Sequence, residues 1–440
     1  MKKFLALILA LVMALSLVAC GKEAAPVDEV REAALDTPLA ECGVVSDVWD
    51  GNTEGMNKDV KIGVILVGDE NEGYSFAHID GIRKAMAACG LTDDNMIWCY
   101  NIPENEECYD KCIECVEEGC GLIITNSYSH QTYTQQAAEE NPEVQFVAMT
   151  GDTALASGLD NLHNAFNATY ESRYLSGIVA GMKLKELMDA GTVTDPYIGY
   201  VGAYPYAEVV SGYTGFFLGI KSIVPEAHMD VQYTNSWFDQ QEEGKAAEAL
   251  MGRGCVIIGQ HADSTGAPAA VQAAKDAGKS VYSVGYNVDM LSVAPTAALT
   301  SSTNDWSIFY TYLFSQFMKA QDIATNWAGG SEVNAVCITP LGPEVAEGTA
   351  EAVAAADAAI KAGTLHVFDT KSFTMAKCKD ASYATDDDGH VVVACAVDTD
   401  GNFAADTANA VIDGYYHESY NQSAPSFALR IDGITELNAG

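Results

Sequence analysis

From Lys2 and Lys3 the chain passes directly into an unbroken uncharged, apolar run, Phe4 to Ala19. No comparable run follows. From Val60 onward the apolar positions fall into short β-branched clusters: Val60–Val67, Leu122–Ile124, Val144–Val147, Tyr197–Val201, Val256–Ile258 and Val281–Val284. Stretches rich in Ala, Glu and Lys lie between them, among them Gly81–Ala88 and Glu242–Met251. Short apolar runs alternating with helical stretches predict an α/β protein with parallel sheets covered by helices on both faces.

The pattern also repeats. Ile62-Gly63-Val64 recurs as Ile198-Gly199-Tyr200, and Gly81 as Gly215. Gly119-Cys120 before Leu122-Ile123-Ile124 recurs as Gly254-Cys255 before Val256-Ile257-Ile258, and Gly151 as Gly285. All four anchors share one offset of about 135 residues, the mark of two similar units. We therefore expect two similar doubly wound parallel-sheet lobes. In such sheets the loops at the carboxyl ends of the strands border the ligand crevice. Those loops are 69–78, 126–132, 203–208, 260–266 and 286–290. They are rich in aromatic, hydroxyl and carboxylate groups and poor in Lys and Arg. That composition suits a neutral or cationic ligand bearing a flat ring or hydroxyls.

Length and charge narrow the class. A chain of 440 residues exceeds one ordinary domain. Its formal charge of −38, from 23 basic and 61 acidic residues, is the reverse of what a phosphate-neutralising nucleic-acid binder needs. The single long apolar run excludes a polytopic membrane protein. With its basic start, that run reads as a secretory signal over residues 1–19. It ends Leu17-Val18-Ala19-Cys20-Gly21, similar to a bacterial lipobox, which makes Cys20 the expected lipidation site. The alternative is an ordinary signal peptide with an incidental cysteine. Several acyl chains on Cys20 would hold the protein on the extracytoplasmic face of the cell membrane, through the lipid alone.

Of the 12 cysteines, Cys108, Cys112 and Cys115 lie in an amphipathic-helix pattern without an accompanying His. They read as small buried hydrophobes rather than as metal ligands. Cys378 and Cys395 flank the turn Asp386-Asp387-Asp388-Gly389, where pairing across a hairpin is one option. Phosphate-cradle, dinucleotide, zincin and nucleophile-elbow motifs are all lacking. His261, Asp263 and Ser264 resemble fragments of a hydrolase, yet without a nucleophile context they read as pocket residues. No catalytic residue, metal or cofactor is expected.

The loops carry a family resemblance. Gly73-Tyr74-Ser75-Phe76-Ala77-His78-Ile79-Asp80-Gly81 resembles the first ligand loop of the basic membrane protein family of solute-binding lipoproteins, which includes the purine nucleoside receptor A group. Tyr74 stands where one branch of that family has Trp. Tyr174–Gly181, Asn235–Asp239, Gln260–Ser264, Gly285–Met290 and Leu299–Ser301 continue the resemblance in order. It runs from about Val60 to Ala320 and more loosely to Gly440; the stretch from about Phe368 to Ala405 and the Cys-rich helix fit no pattern of the family.

The resemblance implies a periplasmic-binding-protein type I fold, with two lobes joined by a hinge. It implies an extracytoplasmic binding protein of an ABC importer, with permease and ATPase partners and a purine nucleoside or nucleobase as ligand. On that reading Tyr74 and Trp237 present aromatic faces from opposite lobes, and each alone reads equally as core packing. Asp263 and Asp289 accept hydrogen bonds, and Ser127, Tyr128 and His78 complete the polar edge; a helix-start hydrogen bond is the alternative role for His78. The expected organisation is a tether over 20–58, a first lobe over 59–168 completed by about 290–325, and a second lobe over 169–289 completed by about 326–440. A receptor for another neutral ligand such as a sugar, and an anchored hydrolase, are the competing classes.

Overall fold

The computed structural model describes residues 43–375, 383–397, 407–420 and 422–439. The expected signal segment, Cys20 and Cys378 lie outside the described residues, so neither lipidation nor a Cys378–Cys395 pair has a structural account.

Two seven-stranded sheets form the body. The first holds β1 (Val44–Val45), β2 (Ile62–Ile65), β3 (Met96–Cys99), β4 (Leu122–Thr125), β5 (Gln145–Met149), β6 (Leu162–Ala165) and β12 (Asn326–Trp327). The second holds β7 (Tyr197–Gly202), β8 (His228–Tyr233), β9 (Ile257–His261), β10 (Tyr282–Tyr286), β11 (Ala298–Asn304), β13 (Val336–Ile338) and β19 (Ile434–Glu436). The strand orders β3-β2-β4-β5-β6 and β8-β7-β9-β10-β11 are the same path drawn twice. Every pair is parallel except β11 with β13. β2 and β4 are buried at every residue, which is why their sequence is continuously apolar rather than alternating.

Helices α1 (Gly73–Cys89), α2 (Glu106–Glu117) and α3 (Gln131–Glu140) follow β2, β3 and β4. After the short α4 (Ala154–Ser157), α5 (Thr169–Asp189) opens the second lobe, followed by α6 (Ala207–Lys221), α7 (Gln240–Arg253) and α8 (Gly266–Asp276). α9 (Trp306–Met318) returns to the first lobe and packs on α1, as α5 packs on α6. Both contacts close over a glycine. A Cβ on Gly81 of α1 would lie 2.6 Å from Trp306 Cβ, and one on Gly215 of α6 would lie 2.9 Å from the Tyr170 carbonyl.

The Cys-rich stretch is helical as its pattern predicts, and Cys108, Cys112 and Cys115 are buried with Cys120 in one apolar cluster. The turn at 386–389 links β14 (Tyr383–Thr385) to β15 (Val391–Val397) as a hairpin, which β16 (Thr407–Asn409) extends. The C-terminal region also contributes α10 (Thr349–Lys361) and the pair β17 (Val411–Ile412) and β18 (Tyr415–Tyr416). Its Phe368, Phe373, Val391, Tyr416 and Phe427 join the second lobe's core.

The chain crosses between sheets three times: after β6, after β11 and after β12. β11 therefore belongs to the second sheet, although the sequence reading put that stretch in the segment completing the first lobe; the return begins at about residue 305. β1, from the expected tether, is an edge strand of the first sheet. The crossings are bonded to each other. Ala168 donates to the Gly329 carbonyl at 2.8 Å and Asp305 to the Ala335 carbonyl at 2.8 Å. Asn167 Nδ2 donates to the Ala335 carbonyl at 3.0 Å, and Thr169 Oγ1 to Asn304 Oδ1 at 2.9 Å. Among the described residues, no helix is long and apolar enough to cross a membrane.

Candidate ligand-binding cleft

A cavity of about 480 Å³ opens between the carboxyl ends of the two sheets. The first lobe lines it with Val67, Gly68, Asp69, Asn71, Glu72, Tyr74, Asn101, Glu104, Ser127, Tyr128 and Thr150. The second contributes Tyr204, Glu208, Ser236, Trp237, Phe238, His261, Asp263 and Tyr286. Among the described residues, no lysine or arginine is in the wall, as the loop composition predicts. A direct bond joins the lobes at one side, from the Gly73 amide to the Asp263 carbonyl at 3.2 Å.

On the first-lobe side the polar groups are tied down by the backbone. Glu72 caps α1, accepting from the Tyr74 and Ser75 amides at 2.7 Å each. Asp69 accepts from the Asn71 amide at 2.8 Å and from Asn101 Nδ2 at 3.1 Å. These bonds, the Asn71 amide first, hold its carboxyl below the ordinary value, so it is an ionised acceptor. Glu104 Oε1 accepts from Ser127 Oγ at 2.5 Å and from the Ser129 amide at 3.2 Å. Tyr74 donates to the Asn126 carbonyl at 2.7 Å, which fixes its ring in the wall.

The second lobe presents aromatic surface. Trp237 meets Tyr204 edge-on at 5.2 Å, and Tyr204 stacks on Tyr206 at 5.0 Å. Behind them sits a desolvated polar layer. Asn287 Nδ2 donates to Asp263 Oδ1 at 2.7 Å, and burial, with Glu72, Glu243 and Glu208 nearby, pushes the Asp263 carboxyl well above its usual range. Burial also pushes Glu208 up to about 7, against the pull of Arg173. His261 Nε2 lies 3.2 Å from Glu208 Oε1, and burial first, then Arg173, keeps the imidazole neutral. Arg173 itself is only 2% exposed; its guanidinium lies 3.7 Å over the Tyr286 ring and donates to the Gln260 carbonyl at 2.6 Å. The wall thus sets the ionised carboxylate of Asp69 on one lobe against carboxyls whose hold on a proton burial strengthens, Asp263 and Glu208, on the other.

Of the residues expected from sequence, Tyr74, Ser127, Tyr128, Trp237 and Asp263 are brought to the cavity. Two are not. His78 is fully buried behind Tyr74, stacked on Trp306 at 4.2 Å with Nδ1 2.6 Å from the Tyr310 hydroxyl; burial lowers its pKa to about 3. One helical turn beyond Tyr74, it faces the α1–α9 contact and not the cleft. Asp289 turns to solvent, where Oδ1 accepts from the Leu291 amide at 2.8 Å and stabilises a turn. Tyr74 and Trp237 also do not sit in equivalent loops. Tyr74 follows β2 and corresponds to Glu208, each being the second residue of its helix, whereas Trp237 follows β8, the partner of β3.

Asn101, Glu104 and Thr150 were absent from the sequence-based set. The repeat holds the signal for the first, since Asn101 and Asn235 stand one offset apart and both have positive φ, 56° and 57°. Among the described residues, no group of three or more His, Cys, Asp or Glu side chains is arranged to hold a metal ion.

Two doubly wound lobes thus face each other across a ligand-sized cleft. Solved structures agree on the fold. A solute-binding protein of Aeropyrum pernix superposes with a TM-score of 0.60 at 14% identity over 70% of this chain and 93% of that one. One from Conexibacter woesei superposes with a TM-score of 0.56 at 20% identity, over 70% and 98%. Residues 60–345 match the family described as ABC transporter substrate-binding protein PnrA-like, and the chain belongs to that family. It is similar to a purine-binding protein of Brucella abortus, with 31% identity over 262 residues, covering 59% of this chain and 69% of that protein. It is also similar to a putative ABC transporter glucose-binding protein of Haloferax volcanii, with 29% identity over 332 residues, covering 74% and 78%.

Proposed function

We propose that this protein is the extracytoplasmic receptor of an ABC importer, lipid-anchored through Cys20, and that it takes a purine nucleoside or nucleobase into the interlobe cleft. The observation that carries the reading is the division of the cavity wall. Trp237, with Tyr204 at its edge, offers a flat apolar face, and a row of oriented acceptors stands on the other lobe. A purine needs both: desolvation of its ring faces and hydrogen bonds around its rim. Asp69 and Glu104 take the acceptor role first expected of Asp289, toward ribose hydroxyls. Asp263, whose proton burial retains, donates to a ring nitrogen or a carbonyl, and Glu208, with a folded pKa of about 7, serves as donor or acceptor. The relatives named as a purine-binding protein and, in Lactococcus lactis, as a nucleoside-binding protein point the same way. Closure about the three crossings then encloses the ligand and presents the closed form to the permease.

The relative named as glucose-binding supports a hexose as the second reading, and the carboxylate- and amide-rich first-lobe wall suits sugar hydroxyls. Calorimetry with guanosine, inosine, adenosine, adenine and glucose separates the two. One stacking face contributes roughly 1–3 kcal/mol, so Trp237→Ala should weaken purine binding about 5- to 150-fold. Saturable glucose binding with no purine binding would replace the ligand assignment.

A further inference from the structure

The last described strand, β19, lies beyond residue 345, where the family match stops. It covers the outer edge of β8, whereas β3, the equivalent strand of the first lobe, has no strand beyond it among the described residues. A lobe of this design therefore stands without such a cover. What the segment around β19 adds lies in its polar side chains.

Three of them reach the stems of two cleft loops. Asn438 clamps Tyr233, the last residue of β8: its Oδ1 accepts from the Tyr233 amide at 2.8 Å, and its Nδ2 donates to the Tyr233 carbonyl at 2.9 Å. Glu436 Oε1 accepts from the Tyr233 hydroxyl and, at 3.0 Å, from the Tyr213 hydroxyl of α6. Its Oε2 pairs with Arg430 Nε at 3.2 Å, and Arg430 Nη2 donates to the Pro205 carbonyl at 3.3 Å. The Glu436 side chain is only 15% exposed, so water competes little for these bonds.

Both stems lead to rings of the cavity wall. Pro205 stands between Tyr204 and Tyr206, which stack at 5.0 Å. Tyr233 leads into the loop of Trp237, which meets Tyr204 edge-on at 5.2 Å. The loops are also joined directly, the Thr234 and Asn235 amides donating to the Gly202 and Ala203 carbonyls at 2.9 Å each.

We propose that Arg430, Glu436 and Asn438 are positioning residues of the cleft, which hold the loops of Tyr204 and Trp237 so that the two rings form one preset face for the ligand. A preset face reduces the ordering entropy lost on binding. The inference rests on Trp237 being the stacking face of the proposed function.

Near-ultraviolet circular dichroism of the ligand-free full chain, with calorimetry on guanosine, tests this. The dichroism lost on Trp237→Phe isolates the signal of the coupled rings. Arg430→Met, at a side chain 42% exposed and so outside the core, should remove most of that signal and weaken guanosine binding about fivefold. Asn438→Ala should act alike at the other stem, and Arg430→Lys, which keeps the charge and a donor, should retain much of both. In a Trp237→Ala background, Arg430→Met should change affinity by less than about twofold, because the face it holds is gone. A merely structural role would lower affinity equally in both backgrounds, and that result overturns the proposal. So does a ring signal, or a guanosine affinity, that neither Arg430→Met nor Asn438→Ala alters. If guanosine does not bind the parent chain, the purine reading alone fails; the ring signal then decides, and its persistence in both variants overturns the positioning role.

Discussion

The two lobes trace one strand order twice, yet they meet the cleft with different chemistry. The first supplies Asp69, Glu72, Asn101, Glu104 and Ser127, held by capping and turn bonds, beside the rings of Tyr74 and Tyr128; the second supplies Tyr204, Trp237, Phe238 and Tyr286 beside the buried polar groups of Glu208, His261 and Asp263. Equivalent positions show how far this goes. Tyr74 on one helix faces the problem of lining the cavity with a ring, and Glu208 on the corresponding helix with a carboxyl. Behind the strands, Cys115 lies against Gly63 where the second lobe has Leu250 against Gly199. What the repeats retain is close packing beneath the sheet and, at the strand ends, little beyond the left-handed turn at Asn101 and Asn235. The scaffold tolerates that because loop residues at strand ends contribute little to the core.

The sharpest way to break this comparison is at the shared glycines. Gly81→Val sets a side chain against the backbone and Cβ of Trp306, and should destabilise the protein by about 3 kcal/mol in denaturant titration. Gly215→Val, facing one carbonyl, should cost less, about 2 kcal/mol. A larger loss at Gly215 would mean that the two helix contacts are not equivalent.

Glu208 offers a sharper test of the second lobe. Its folded pKa of about 7 lies above the ordinary 4.5, so the folded state holds a proton that the unfolded chain has already released. Its contribution is therefore full below about pH 4.5 and is lost as pH rises to about 7. Glu208→Gln should raise the ligand-free stability by roughly 2 kcal/mol at pH 8 and change it little at pH 4. Thermal melts at the two pH values check this. A gain of equal size at both would show that burial of the carboxylate is not the cause.

The smallest effect separates equivalent turns. Asn101→Ala and Asn235→Ala both force a left-handed backbone on alanine, at about 1 kcal/mol each. Asn101 should cost more, since its amide also donates to Asp69. Equal losses would indicate that this bond contributes nothing in the absence of ligand.

The sequence made the α/β class, the duplication and most cleft loops legible, because buried parallel strands are continuously apolar and the repeat anchors mark strand starts and helix contacts. β3 and β8 were harder: Met96–Cys99 is mostly half-buried at a sheet edge, and His228–Tyr233 carries His228, Asp230 and Gln232 among its apolar residues, so it forms no uniform apolar run. Missing β3 hid Asn101 and Glu104, and without β8 Trp237 was reached only through the family resemblance. His78 and Asp289 show a different limit. Residue type and loop position do not reveal which face of a helix turn meets the cavity, and both side chains satisfy local partners instead. β11 was assigned across a crossing for a similar reason, since the apolar pattern carries no record of which sheet a strand joins.

The three crossings have a consequence for the order in which the chain acquires its structure. β1 reaches the first sheet only through β12, which is made some 280 residues later, as the bond from Trp327 Nε1 to the Asp47 carbonyl records. The second sheet receives its edge strand β19 only at Ile434–Glu436, beside β8. Neither lobe can be completed by an emerging chain as a self-contained unit. Such distant pairings close slowly, and their strand edges stay open until the partner arrives. The first sheet is therefore finished only once residue 327 has emerged and the second only once residue 436 has, and a truncation that removes β19 alone would leave β8 as a bare edge on an otherwise assembled lobe.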